Sequence, residues 1–266
     1  MNNNNSDIRF VAFLDILGFK NLVENNEHSK LLQLYNNLII PNVQLSSALG
    51  QFKVIVNSEG KQIAVPDVSK AKISNVIISD SILCWTENST MKSFIDLIIV
   101  VRNLLIMGFY SGLPLRGGIS YGPFSLIKHA QSVGANITWM TLACVGKSIV
   151  HSYEIEEKQQ WAGCIIDNAL IEYYKNIYKD KLYDSSLATI EYLVEKNILI
   201  KYNVPLKNDT TEEFYTINWP KSVKDKPTED IIKKAFLMHK KETADPDVTN
   251  KIENTISFMN FALKNR

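Results

Sequence analysis

The chain has 266 residues, 45% of them hydrophobic, enough to bury the core of one large domain or of a domain with an extension. Its 29 Lys and Arg against 28 Asp and Glu leave a net charge of +1, which excludes the cationic excess on which sequence-independent nucleic-acid binding relies. The three cysteines, Cys84, Cys144 and Cys164, lie among apolar residues and form no Cys-x-x-Cys, which reads as reduced core thiols in a cytoplasmic compartment. Residues 1–7 are rich in asparagine and have no basic region followed by an apolar one; they read as a disordered lead with no secretory signal. Residues 8–15 predict a buried strand that ends on Asp15, and Gly18 turns the chain into a helix running to about residue 40, which Pro41 ends or kinks. Residues 51–57 alternate as a strand does, residues 73–78 predict another, and residues 82–85 return antiparallel after a tight turn at Asp80-Ser81.

Residues 91–111 predict a helix. Its stretch 94–110 is nearly long enough to cross a bilayer but contains Asp96 and Arg102, which predicts a buried helix and no membrane span. Residues 115–121 predict a strand, in which Gly117 and Gly118, with Gly122 just beyond, allow another backbone to approach closely. After a loop of about twenty residues, residues 144–160 predict a helix and residues 161–166 a strand. Beyond these come helical stretches near 167–178 and 186–197, a hairpin over 198–219 that turns at Asn208-Asp209, and a charged helical tail from 228 to 264.

The order strand, helix, hairpin, helix, strand predicts an α+β domain of the ferredoxin-like or palm type over residues 8–166. Residues 167–266 form a helical and hairpin C-terminal extension packed on that core. In such a sheet the end of the first strand and the tip of the hairpin lie side by side, so Asp15 and Asp80 converge. A carboxylate at the end of an apolar strand is costly to bury unless a partner cancels its charge, and two of them together point to a divalent metal site. The structural alternative is a helix cap at Asp15 and a turn aspartate at Asp80. Gly146-Lys147-Ser148 lacks the earlier glycine of a P-loop, since Thr141 stands there, and His28, His129, His151 and His239 show no metal-ligand spacing.

Four segments extend this expectation: Phe13-Leu-Asp15-Ile-Leu-Gly18-Phe19, Ile78-Ser-Asp80-Ser81, Arg116-Gly-Gly-Ile-Ser-Tyr-Gly122, and the helix from Gly146 through Tyr153 and Glu156 to Gly163. In this order the sequence resembles the catalytic domain of the class III nucleotidyl cyclases, and within them the pyrimidine nucleotide cyclases of bacterial antiphage (Pycsar) signalling. The resemblance covers residues 8–166. It implies that Asp15, Asp80 and the backbone carbonyl of Ile16 hold two divalent ions, Mg2+ or Mn2+. Two such ions neutralise a nucleoside triphosphate and help activate the ribose 3′ oxygen for attack on the α-phosphorus. Leu17, Gly18 and Phe19, opening a helix straight after a strand, would turn their amides to the phosphates.

Val76 and Ala143 stand where purine cyclases of this class carry base-selecting polar residues. A purine edge left unmatched there costs about 1–3 kcal/mol, which favours UTP or CTP. By the resemblance, Val150 and Glu154 fall where the family carries its asparagine and arginine, so either other cations substitute, with Arg116, Lys147 and Lys20 as candidates, or the enzyme relies more heavily on its metals. The alternative for Arg116 is a salt bridge on a strand. Tyr153 and Glu156 match the pyrimidine-cyclase helix, but an amphipathic helix uses such residues equally in packing, and they are not counted as catalytic. The resemblance further implies a head-to-tail homodimer with active sites between the protomers, release of pyrophosphate, and a separate effector that reads the cyclic product in antiphage defence. The rival readings are a purine cyclase with an unusual base pocket, a catalytically silent cyclase-like module that binds nucleotide, and a polymerase palm, against which the neutral charge speaks.

Overall fold

The computed structural model describes residues 8–132, 138–178, 189–223, 226–242 and 244–265. In chain order it contains β1 (Ile8–Ile16), α1 (Phe19–Glu24), α2 (His28–Leu34), a π-helical turn (Tyr35–Ile39), α3 (Ile40–Ser47), the hairpin β2 (Phe52–Val56) and β3 (Gln62–Pro66), then β4 (Ile73–Ile78), β5 (Ser81–Thr86), α4 (Met91–Ser111) and β6 (Leu115–Pro123). A second hairpin, β7 (Ser125–Ser132) and β8 (Thr138–Val145), leads to α5 (Lys147–Glu157), β9 (Cys164–Ile166) and α6 (Asn168–Tyr178). The extension adds α7 (Ile190–Glu195), β10 (Leu199–Pro205), β11 (Thr211–Ile217), α8 (Glu229–Leu237) and α9 (Pro246–Lys264).

The central sheet runs β10-β11-β9-β6-β1-β5-β4 and is antiparallel except where β6 lies parallel to β9. The chain is thus of mixed α and β structure, and its first six central elements follow the order β-α-β-β-α-β. Because side chains alternate across a strand, β1 feeds two cores. Phe10, Ala12, Leu14 and Ile16 join Phe94, Leu97, Val101 and Leu105 of α4 in the main core, together with Trp219 and Phe258 of the extension. Val11 faces the opposite way with Leu83, Trp85 and Phe124. Helix α4 is long and apolar enough to cross a membrane by length and composition, yet its buried face packs against the sheet and α8. Thr90 caps its start and Gly112, left-handed at φ 74°, ends it, which is why its limits were legible in advance.

Helix α5 covers the second face, with Tyr153 edge-on to Phe13 at 5.4 Å between ring centroids. The glycines of β6 permit this. A Cβ on Gly118 would lie 2.4 Å from Ile155 Cγ1 and 2.5 Å from the Ser152 carbonyl oxygen. Gly118→Ala therefore has to push α5 off the sheet, and we expect a loss of about 1–3 kcal/mol in denaturant unfolding, whereas the same change at solvent-exposed Gly60, where a Cβ meets nothing within 4 Å, does not report on α5.

Several sequence expectations are corrected. The helix expected over 18–40 is broken: the Asn26 side-chain amide donates to the Leu22 carbonyl, a local bond that competes with helix continuation. Pro41 widens the helix rather than ending it, because it has no N–H to donate; the preceding turn is π-helical and Ile40 N–H reaches back to Tyr35. The twenty-residue loop is mostly the β7–β8 hairpin, Cys144 belongs to β8, and α5 begins only at Lys147. Strand β2 pairs with the unforeseen β3. The tail divides into α8 and α9. Residues 1–7, expected as a disordered lead, lie outside the described residues, as does the start of the helix expected over 186–197. The extension's β11 pairs with β9, so the expected boundary at residue 166 falls inside one continuous sheet.

Candidate functional site

Asp15 occupies the penultimate position of β1, opposite Ser81 of β5 and Arg116 of β6. Asp80 lies in the two-residue turn between β4 and β5, and the Ile16 N–H donates to its carbonyl at 3.0 Å. That bond fixes the hairpin tip against the end of β1, where the Asp80 carboxyl acts on that of Asp15. Ser79, left-handed at φ 53°, makes the turn, and its carbonyl accepts from the Tyr35 hydroxyl. Burial and the Asp80 charge both raise the Tyr35 hydroxyl above its ordinary pKa.

Asp15 is raised to about 7, first by burial, then by the charges of Glu156 and Asp80; Arg116 opposes the shift and the hydrogen bond with Asp80 adds to it. Asp15 therefore gives up its proton only near neutrality, and a cation beside it would favour that loss. Arg116, 6% exposed, does not point freely into this site. Its Nε donates to Glu156 Oε1, its Nη1 to the Gln159 carbonyl at 2.9 Å, and its Nη2 stands 4.0 Å from Asp15 Oδ2. Gln159 is fixed in turn, donating to the carbonyls of Gly117 and Ile155 and accepting from Trp161 Nε1. Arg116 is thus engaged by Glu156 and Gln159 beside Asp15, which is the buried form of the salt bridge weighed as its alternative. Glu156, 2% exposed, is its counter-ion; burial raises its pKa and Arg116 holds it down.

The other predicted residues divide. Leu17 has its N–H committed to the Pro114 carbonyl at 2.9 Å, so it has no amide to offer a phosphate. Gly18 is exposed and left-handed at φ 77°, and Phe19 opens α1, whose first-turn N–H groups have no acceptor within the helix. With only six residues, α1 carries far less dipole than the long helix expected. Lys20 is exposed and pairs loosely with Glu24. Lys147 is misplaced within one chain. It adjoins Ser148, whose hydroxyl donates to the Pro123 carbonyl; Pro123 is opposite Ile8, about 20 Å along the strand from Asp15.

Val76 shares the face of Asp15 through the row Phe13, Leu83, Val76. With Ser74, Trp85, Leu126, Lys128 and Leu142 it lines a cavity of 460 Å3. Ala143, on β8, is opposite Ile127 of β7 and on the other side of its strand from Leu142. Val150 and Glu154 are exposed on α5.

No family model matches the chain, and no curated protein matches it. What the site can do follows from its own side chains. Asp15 and Asp80 are hard oxygen donors of the kind Mg2+ and Mn2+ take, and the Glu156 and Asp80 charges that help raise Asp15 would favour a cation beside it. No group of three or more His, Cys, Asp or Glu able to hold a metal occurs among the described residues. Any cation bound by this pair needs further oxygens from backbone and from a ligand. Sequence reasoning missed Tyr35, which holds the turn, and Lys241, whose ammonium is buried beneath Leu17 and Gly18. Only the serine and glutamate spacing on α5, with Ser148, Ser152 and Glu156 on one buried stripe, foreshadowed the inward role of Glu156.

Proposed function

We propose that the chain is a pyrimidine nucleotide cyclase that converts UTP or CTP to the 3′,5′-cyclic monophosphate with release of pyrophosphate, on a ferredoxin-like, palm-type catalytic domain. The observation that carries this reading is the meeting of Asp15 and Asp80 at the junction of β1 with the β4–β5 hairpin. The order β-α-β-β-α-β, with β1 between β6 and β5, supports it. Asp15, Asp80 and the Ile16 carbonyl would hold two Mg2+ or Mn2+ ions, which neutralise the triphosphate and acidify the ribose 3′ hydroxyl. Gly18 leaves the β1–α1 turn open to the phosphates, and Arg116 keeps Asp15 oriented while balancing Glu156. Val76 offers no polar partner to a purine edge.

The active unit of this reading is a homodimer, with the cyclic product passing to a separate effector in antiphage defence. Exposed apolar side chains on the relevant face support the dimer: Ile78 is 64% exposed in the row of Asp15, and Met140, on the β7–β8 hairpin, is 73% exposed. Met140→Glu is expected to shift the protein toward monomer in sedimentation velocity and to lower specific activity about tenfold or more. The test of the function is mass spectrometry of the products formed from an equimolar mixture of the four ribonucleoside triphosphates with Mn2+. Cyclic UMP or cyclic CMP is the expected product. Cyclic AMP or GMP would move the chain to the purine cyclases. Tight nucleotide binding without product would favour the silent module, a reading that the engagement of Arg116 by Glu156 and Gln159 supports.

A further inference from the structure

The segment joining α8 to α9 carries a fully buried lysine. Lys241 is 1% exposed, and its Nζ donates to the Ala235 carbonyl at 3.0 Å and the Leu17 carbonyl at 3.4 Å. Its stem lies along Gly18: a Cβ on that glycine would be 3.1 Å from Lys241 Cδ. Burial lowers the Lys241 amine to about 7, and either protonation state can donate to these carbonyls.

The neighbours of Lys241 grip the other end of the same short helix. The Asn25 and Asn26 side-chain amides donate to the Lys240 and His239 carbonyls, each at 2.8 Å. His239 and Lys240 are both left-handed, at φ 62° and 59°, a conformation unfavourable for side chains of this size and held here by its surroundings. The His239 ring is hydrogen-bonded through Nε2 to the Ser111 carbonyl at 2.7 Å, which ties the segment to the end of α4 as well. The segment from His239 to Lys241 thus holds α1 at both ends, and α1 with its preceding turn is the element that adjoins Asp15.

We infer that Lys241 is a positioning residue: through the Leu17 carbonyl and the backbone of Gly18 it sets the β1–α1 turn for a triphosphate, and it makes the C-terminal extension part of the nucleotide site. The inference rests on the proposed nucleotide-binding role of that turn for its functional half only. The physical half, that this clasp holds the turn, is measured without substrate.

The experiment is hydrogen exchange on the full chain, followed at two amides that the turn protects, Leu17 N–H to the Pro114 carbonyl and Leu22 N–H to the Gly18 carbonyl. Lys241→Met keeps the stem and removes the ammonium; Asn25→Ala with Asn26→Ala loosens the clasp while leaving the buried lysine in place. Each is expected to speed exchange at Leu17 and Leu22 about tenfold or more while α4 stays protected. Wild-type exchange at these amides in both variants overturns the inference. If the chain makes cyclic nucleotide, the same variants are expected to raise KM for the triphosphate about tenfold with kcat within about twofold; an unchanged KM beside faster exchange also overturns it. A chain that makes no product refutes the cyclase reading and leaves the exchange result to decide whether the clasp sets the turn.

Discussion

Asp15→Asn is expected to abolish cyclic nucleotide formation and, in the same protein freed of metal by chelator, to raise the melting temperature at pH 8. The loss follows from removing one of two carboxylates that would hold the cations; we expect at least about a thousandfold fall in kcat, comparable to deleting a group on which the whole transition-state charge depends. The gain follows from the sign of the pKa shift. Asp15 stands at about 7 in the folded chain against an ordinary value of 3.8, so its contribution to stability is fully present below the lower value and is lost as pH rises through 7. At pH 8 the folded protein holds an ionised Asp15 against burial and against Glu156 and Asp80, and asparagine relieves that cost. The relief is of the order of 2 kcal/mol, several degrees in a scanning calorimeter. At pH 4 the variant and the wild type should melt together. A purely structural aspartate capping a helix would give the opposite sign, since its loss destabilises.

Arg116→Ala is expected to destabilise the chain by about 3–5 kcal/mol, because it leaves Glu156 ionised and buried without a counter-ion. Urea titration measures this directly. Replacing both partners, Arg116→Met with Glu156→Leu, should recover most of the loss, since an apolar pair can fill the same space at little net cost. The single change Glu156→Gln removes the second-largest contribution to the rise in Asp15 and should lower the pH at which Asp15 ionises. If Arg116 instead acted mainly on substrate, Arg116→Ala would lower kcat with stability intact, and the double replacement would restore nothing.

Much of the sheet was legible from local pattern. Strand β4 falls on the residues expected, and α4 runs from its Thr90 cap to Gly112 as predicted, because short-range chemistry fixes both. The proximity of Asp15 and Asp80 was legible too, since a hairpin returning beside the first strand leaves its tip no other place. The β7–β8 hairpin escaped because its strands are largely exposed and carry Lys128, His129 and Gln131 in place of an apolar alternation. Helix 18–40 was overextended because apolar spacing cannot register an asparagine that bonds back to Leu22. The buried pair Arg116–Glu156 joins residues forty apart, and Lys241 reaches Leu17 across 224 positions; neither separation leaves a trace in local periodicity. Those two contacts are also where the isolated sequence was silent: Arg116, beside Asp15, is engaged by Glu156, and the extension places Lys241 beneath the β1–α1 turn.

The most direct test of the paired-carboxylate site is electron paramagnetic resonance of Mn2+ titrated into the protein at pH 8 with a non-hydrolysable UTP analogue. The account predicts that the wild type removes free Mn2+ signal in proportion to two ions per protomer, and that Asp15→Asn and Asp80→Asn each weaken that uptake about tenfold or more. Equal Mn2+ uptake by the wild type and both variants would contradict it.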